Sequence, residues 1–294
     1  MPPVPLIFAF FLLLAPLTAA PAHAQEDRPV SQCQMIAETL PQATFARFDP
    51  AQPLFAQATA NEEVKITYIG HSTFFIETPG GIRIATDYNG WYKPPALPTI
   101  VTMNKAHSSH YTLSPEAGIK HVLQGWEDGA PDGANHDLVE GDVYVRNVPT
   151  DIRSWSSGGM EANGNSIFIF EVAGLCIGHL GHLHHELTDS HYGEIGRLDI
   201  LMVPVDGGLT MGAESMATVV QRLRSALILP MHRGGPLIPR FLSMFGSDFD
   251  VVRDTGNTIT VSIRKLPKRP TIHVFATIGI GGYARNPNKP RLRP

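Results

Sequence analysis

The chain has almost none of the cysteine that builds sulfur-ligated metal sites or disulfide frameworks. Only Cys33 and Cys176 occur among 294 residues, and no Cys-x-x-Cys pair is present. Any metal site must therefore be built from histidine and oxygen ligands. Cys176 lies in an apolar stretch, where a buried thiol is one interpretation and a bridge to Cys33 is another.

The chain also lacks a large excess of charge of either sign. Its formal net charge is −4 at pH 7 with histidine neutral, and 43% of its residues are hydrophobic. Proteins that bind the polyanionic backbone of nucleic acid usually carry an excess of basic residues, so nucleic acid is not expected as a partner. The hydrophobic content is ample for the core of one large globular domain or two small ones.

Only one long apolar run is present, near the N-terminus. The run from Leu6 to Leu17 is too short to span a bilayer comfortably, and Ala22-His23-Ala24 then places small residues where a signal peptidase reads them. We expect residues 1–24 to be a secretory signal peptide, cleaved before Gln25. The protein is then periplasmic or secreted, without a membrane span after cleavage. Because the first five residues contain no Lys or Arg, an uncleaved anchor is the alternative.

Histidine, by contrast, is concentrated in one short stretch. Five histidines fall within thirteen residues, directly after an apolar hairpin predicted at 166–172 and 175–179: His179, His182, His184, His185 and His191. Neutral imidazole is the commonest protein ligand for zinc and related metals. The stretch is therefore either part of a metal site or a solvated loop that happens to be rich in histidine.

Two distant segments deliver histidine at strand ends in the same way. A strand predicted at 99–103 is followed by His107 and His110, and a strand predicted at 227–231 is followed by His232. Ligands collect at the carboxyl ends of the strands in an open α/β sheet. Three such ends favour one shared metal site.

The rest of the chain alternates strands with helices or loops. A meander is predicted at 64–69, 73–78 and 82–87, and it ends at Asp87, either a turn residue or a carboxylate that supports a ligand. Further strands are predicted at 121–124, 142–148, 199–205 and 258–263, with helices at 213–226 and 236–245. This order predicts an α/β domain over residues 63–266. An N-terminal extension (25–62, with a short helix at 31–40) precedes it, and a C-terminal tail (267–294) follows.

Three short motifs carry a resemblance to a known family. They are Tyr68-Ile69-Gly70-His71-Ser72-Thr73 before a strand, His179-Leu180-Gly181-x-Leu183 after one, and Pro230-Met231-His232 at the end of another. In this order they resemble the metallo-β-lactamase fold superfamily, in the branch of metal-dependent hydrolases with lactonase-like and phospholipase-D-like members. The resemblance covers roughly residues 63–265. It implies an αββα sandwich with up to two metals at one edge.

The metal motif of that family is altered here. Its pattern His-x-His-x-Asp-His lies over residues 105–110, where His107 and His110 match but Lys105 and Ser109 replace a histidine and the aspartate. His182 stands where the family has a bridging carboxylate, and His232 matches the final ligand. Another family histidine has no counterpart near 149–152, where Asp151 is only a weak substitute.

The resemblance implies a hydrolase in which a metal-activated water attacks an ester, lactone, amide or phosphodiester of a small molecule. Without the two aspartates, a second cation lacks charge compensation, so we expect one zinc ion per chain. His110, His182 and His232 are its expected ligands, with His107 and His179 as alternate or supporting residues.

Lys105 is the expected catalytic residue, holding a substrate anion or an oxyanion. His71 is expected near the site rather than among the ligands. The alternative function is a catalytically inactive metal- or ligand-binding domain on the same fold.

Overall fold

The computed structural model describes residues 30–34, 62–154, 158–233 and 237–276. The predicted signal peptide and residues 35–40 of the helix predicted in the extension lie outside these ranges. Within them, residues 32–34 are helical.

The first of two sheets has six strands and contains the predicted meander. Its strands are β1 (Val64–Gly70), β2 (Thr73–Glu77), β3 (Arg83–Ala85), β4 (Ile100–Met103), β5 (His121–Gln124) and β13 (Thr258–Val261). Their order is β13-β1-β2-β3-β4-β5. Strands β1 to β3 are antiparallel, whereas β3, β4 and β5 run parallel. The β1–β2 turn and the carboxyl ends of β3 and β4 therefore share one edge.

The second sheet has eight strands, and parallel pairing lies at its centre. The strands are β6 (Asp137–Glu140), β7 (Val143–Arg153), β8 (Met160–Val172), β9 (Leu175–His179), β10 (Ile200–Pro204), β11 (Leu227–Met231), β12 (Asp250–Arg253) and β14 (Thr271–Val274). Their order is β12-β14-β11-β10-β9-β8-β7-β6, with β9, β10 and β11 parallel. Every residue of β9, β10 and β11 is buried, as expected for parallel strands covered on both faces.

The inner faces of the two sheets pack against each other and form the main core. Ile66 and Phe74 of the first sheet belong to one apolar cluster with Phe168, Met202 and Leu229 of the second. Burial of this apolar surface is the main driving force that holds the sheets together. The site described below lies at the rim of this sandwich.

Helices cover the outer face of the second sheet. They are α1 (Asp189–Ile195), α2 (Ala213–Leu223) and α3 (Leu237–Leu242), and a 3₁₀ turn spans Ile263–Lys265. Met216, Val219 and Val220 of α2 are buried in a second apolar cluster that includes Leu201 and Ile228 of the sheet. The helical spacing of these residues is the reason that α2 was predicted from sequence. In the described ranges, no helix is long and apolar enough to cross a membrane.

Some elements were not predicted. Strand β14 lies beyond residue 266, in the segment predicted as a C-terminal tail, and it pairs with β11 and β12. Its four residues follow a run rich in Pro, Lys and Arg, which hides the strand signal. Strands β7 and β8 are longer than the strands predicted at 142–148 and 166–172, because their pairing continues past a register shift between Thr150 and Ile152.

A disulfide fastens the described part of the N-terminal extension to the second sheet. Cys33 and Cys176 are bonded, with their Cα atoms 5.9 Å apart. Beside the bond, Ser31 Oγ and the Gln32 backbone N–H donate to the Glu171 carboxylate. Nε of Arg146 donates to the same carboxylate oxygen as Ser31, at 2.9 Å. The bridge that the sequence left open is therefore formed.

Candidate metal centre

Seven polar side chains meet where strand ends from both sheets converge. His71 lies in the β1–β2 turn, Asp87 follows β3, and His107 and His110 follow β4. From the second sheet, His182 follows β9, Asp206 follows β10 and His232 follows β11. The parallel strands bring these ends to one edge, as the sequence predicted for the histidines.

Five histidines form a compact imidazole cluster, namely His71, His107, His110, His182 and His232. The ring centroids of His110, His182 and His232 lie 4.7, 5.0 and 5.1 Å apart in pairs. In a tetrahedral site with Zn–N bonds of about 2.0–2.1 Å, imidazole centroids lie about 5 Å apart. The ring centroids thus have the spacing of imidazoles around one ion. The ligand atoms that converge within 4.8 Å form two groups that share His232, one with His71, His107 and His110 and the other with His182 and Asp206.

The Asp87 carboxylate fixes the ring of His110. Oδ2 of Asp87 lies 2.6 Å from Nδ1 of His110, and both side chains are fully buried. The Asn104 side-chain amide donates to the other carboxylate oxygen at 2.9 Å. Burial opposes the charge, but the neighbouring His110 lowers the pKa of Asp87 to about 2. Asp87 thus lies behind a candidate ligand, as the second of its two predicted roles requires.

Asp206 does the same for His232. Its carboxylate contacts Nδ1 of His232, and both side chains are almost completely buried. Its other oxygen accepts hydrogen bonds from the backbone N–H groups of Gly208 and Thr210, at 3.1 and 2.8 Å. Burial raises the pKa of Asp206, but His232 and the two backbone N–H groups together outweigh it and lower the pKa to about 2. In the sequence Asp206 directly precedes Gly207 and Gly208, a pattern that indicates a turn.

The two supported imidazoles face each other. Nε2 of His110 lies 3.1 Å from Nε2 of His232. Since each Nδ1 faces a carboxylate, we infer that its proton is held there and that both Nε2 atoms present lone pairs. Two lone pairs at this distance repel unless a cation, a metal ion or a proton, lies between them.

Other ring nitrogens in the cluster are buried without hydrogen-bond partners. Both ring nitrogens of His182, and Nε2 of His71, have none among the described residues. The His182 backbone is held by Asn165, whose side-chain oxygen accepts its N–H at 2.7 Å. A buried polar atom without a partner is costly, so orphaned imidazole nitrogens around one point indicate an unmet ligand.

Burial disfavours the charged form of four of the five imidazoles. Burial lowers the pKa of His182 and of His110. It lowers the pKa of His107 to about 4 and that of His71 to about 2, and the neighbouring imidazoles add to the effect. Neutral imidazole is the form that binds metals. His71 and His107 are partly exposed and the other three are buried, so the cluster opens to solvent at these two rings.

Lys105, the predicted catalytic residue, is engaged elsewhere. Its ammonium lies 2.6 Å from Asp128 and 2.7 Å from Glu161. These two hydrogen bonds raise the pKa of Lys105. The charge that was expected to hold a substrate anion is thus already matched by two carboxylates. Ser109, its companion in the altered motif, contacts Nδ1 of His107 through Oγ at 2.6 Å.

His179 lies outside the cluster, although it was predicted as an alternate or supporting residue. Its Nε2 donates to the Ser72 carbonyl at 2.8 Å, and its Nδ1 accepts from the Gly181 N–H at 3.1 Å. Both ring nitrogens are therefore used by the backbone, and the buried ring joins the two sheets. Asp151 is also elsewhere, because its carboxylate accepts from the Asn163 N–H.

The other histidines of the His-rich stretch hold loops together. Nε2 of His184 donates to the Leu209 carbonyl at 2.8 Å, and Nε2 of His185 accepts from the Asp151 N–H at 3.0 Å. His191 caps the start of α1 through Thr188. The density of histidine that first drew attention to this stretch thus provides one cluster member, His182.

Comparison with known proteins identifies a family of similar sequences. The family model described as the Beta-lactamase superfamily domain matches residues 65–232. A metal-dependent hydrolase from Pyrococcus furiosus is 26% identical over 193 residues, which cover 58% of this chain and 84% of that protein. A metal-dependent hydrolase from Myxococcus xanthus is 24% identical over 241 residues, covering 71% of this chain and 80% of that protein.

Solved structures agree with this match. A Thermotoga maritima protein, assigned as a Zn-dependent hydrolase of the metallo-beta-lactamase superfamily, aligns with a TM-score of 0.54 at 27% identity, over 72% of this chain and 98% of that chain. A Parabacteroides distasonis protein, assigned as a metal-dependent hydrolase, aligns with a TM-score of 0.51 at 15% identity, over 63% and 89% of the two chains. At that identity the second likeness concerns the fold alone.

Proposed function

The chain belongs to the beta-lactamase superfamily. We propose that it is an exported metal-dependent hydrolase of a small-molecule substrate. Its fold is the α/β sandwich that the sequence predicted. The substrate classes consistent with the proposal are esters, lactones, amides and phosphodiesters.

One observation carries the proposal of a metal site. The Nε2 atoms of His110 and His232 face each other at 3.1 Å, while their Nδ1 atoms face Asp87 and Asp206. Nitrogens bound to one tetrahedral zinc lie about 3.3 Å apart, and a carboxylate behind each ligand is the usual way to fix the ring. The residues present therefore fit a divalent cation.

We propose zinc as that cation, one per chain, with His110, His182 and His232 as its core ligands. A zinc ion in such a site lowers the pKa of a coordinated water and polarises a carbonyl or phosphoryl oxygen. Asp87 and Asp206 hold the His110 and His232 rings in place. The partly exposed His107 borders the open side, where a substrate would enter.

Export is supported by the disulfide. Cys33 and Cys176 are bonded, and disulfides persist in oxidising compartments such as the periplasm and the extracellular space. The bond therefore agrees with the signal peptide expected over residues 1–24, which lie outside the described ranges.

A catalytically inactive binding domain is the second candidate function, and Ser109 favours it. A serine hydroxyl is a poor zinc ligand, and no base near neutral pH stands at this position, where the family has a carboxylate. The pairing of Lys105 with Asp128 and Glu161 also favours it, because the ammonium that was expected to hold a substrate anion is matched by two carboxylates.

Turnover of a substrate panel separates the two functions. Zinc-loaded protein, metal-free protein and a His232→Asn variant purified in the same way are assayed on esters, lactones, amides and phosphodiesters. Hydrolysis that disappears on metal removal and in the variant, and that returns when zinc is added to the wild type, supports the hydrolase. Stoichiometric zinc without turnover of any class supports the binding domain.

A further inference from the structure

We propose that His71 is a fourth ligand of the ion, supplying the imidazole that the altered motif lacks at position 105. This inference rests on the proposed metal site and adds to it a residue from the β1–β2 turn, outside the metal motif.

The His71 ring lies close to the other imidazoles of the cluster. One ring nitrogen each of His71, His107, His110 and His232 lie within 4.8 Å of one another. The His71 ring centroid is 3.9 Å from that of His232 and 5.0 Å from that of His110. His71 is thus next to both of the imidazoles whose Nε2 atoms face each other.

His71 has a ring nitrogen without a hydrogen-bond partner among the described residues. Nε2 of His71 is buried, and no hydrogen bond satisfies it within the described chain. The other histidines near the site show what a structural role requires, since both ring nitrogens of His179 are bonded to the backbone. A metal ion bound at Nε2 of His71 would remove the free-energy cost of burying this nitrogen without a hydrogen bond.

The backbone and the ring of His71 are both held in place by neighbouring residues. His71 has φ of +52°, in the left-handed region that costs a non-glycine residue energy. Its carbonyl accepts hydrogen bonds from the His232 N–H at 2.8 Å and from the Tyr68 hydroxyl at 2.9 Å. The Tyr92 ring lies nearly parallel to the imidazole, with centroids 6.1 Å apart. Gly70 makes room for Tyr92, because a Cβ there would lie 2.7 Å from the tyrosine ring.

Lys105, at the position where the family motif has a histidine, cannot bind the ion. Lys105 binds Asp128 and Glu161 and, as an ammonium, has no lone pair for a metal. The motif therefore loses an imidazole on the side of the first sheet. His71 belongs to the same sheet and adds one imidazole to the same cluster.

A matched pair of variants tests the proposal. His71→Asn and His232→Asn both remove an imidazole at a position of positive φ, +52° and +55°, which asparagine tolerates. His136→Asn is the control, because that ring donates to the Gln124 carbonyl away from the cluster. Zinc affinity is measured by competition with a chelating dye, and X-ray absorption of the bound zinc counts its imidazoles.

We expect His71→Asn to weaken zinc binding at least about tenfold and to reduce the imidazole count by one. His232→Asn should do the same or more, and His136→Asn should match the wild type. If His71→Asn keeps wild-type affinity and imidazole count while His232→Asn does not, the role of His71 is overturned and the metal site stands. If neither variant changes zinc binding, both proposals fail. Circular dichroism and thermal unfolding of each variant show whether the fold is retained.

Discussion

The backbone N–H of His232 donates a hydrogen bond to the carbonyl of His71, 2.8 Å away. The bond joins the end of β11 in one sheet to the β1–β2 turn in the other. Both residues have positive φ, so the two strained turns hold each other at the point where the imidazoles meet. The positions of the imidazoles therefore depend on the packing of the two sheets and not on any single loop.

The first prediction concerns the carboxylate behind His110. Asp87→Asn should weaken zinc binding by about 10–100-fold, because an amide holds the Nδ1 proton less strongly and leaves Nε2 a weaker ligand. Dye competition measures the affinity. Asp248→Asn, at an exposed position, is the control and should leave the affinity unchanged. Equal zinc affinity for Asp87→Asn and wild type would remove Asp87 from the site.

The second prediction concerns the bond between Cys33 and Cys176. Replacing both residues with serine should lower the free energy of unfolding by about 2–5 kcal/mol, because the bond closes a long loop and restricts the unfolded chain. Urea denaturation measures the difference. Reductant should bring the wild type close to the double variant and should not affect the variant. Superimposable urea curves for oxidised wild type and double variant would contradict a stabilising bond.

The third prediction concerns the altered motif. Lys105→His together with Ser109→Asp restores the family pattern over residues 105–110. The added carboxylate offsets a second positive charge, so the zinc content after dialysis should rise from one toward two per chain. Elemental analysis measures it, with Lys105→His alone as the control. An unchanged zinc content in the double variant would mean that residues 105–110 are misaligned with the family motif.

The fourth prediction concerns export. Protein produced with its N-terminal segment intact should be recovered from the periplasm or the medium, beginning at Gln25. N-terminal sequencing and cell fractionation check both points. Recovery of membrane-bound protein that still begins at Met1 would favour the uncleaved anchor.

Much of the fold was predictable because its signals are local. The strands that end before His107, His182 and His232 are short apolar runs with clear turns after them, and parallel packing brings their ends together. Strand β14 (Thr271–Val274) could not be predicted in this way. It has only four residues, and its place in the sheet is set by pairing with β11 and β12.

Two residues of the site were not fully recognised from sequence: Asp206 was not identified, and His71 was expected near the site but not among the ligands. Asp206 precedes two glycines, which in sequence indicates a turn, and only the packing of β10 beside β11 brings its carboxylate to His232. His71 lies in a tight turn, and only the contact between the two sheets brings it near His232. A signal was available for both, since each is a potential ligand that directly follows a predicted strand, as the identified histidines do.

The account rests on a cation between His110 and His232. A crystal structure of the zinc-soaked protein, with anomalous data collected on both sides of the zinc edge, tests it most directly. The account predicts one anomalous peak at about 2.0–2.1 Å from Nε2 of each of these histidines. It is contradicted by a well-ordered cluster that shows no peak there, with the two Nε2 atoms still in contact and joined only by a proton.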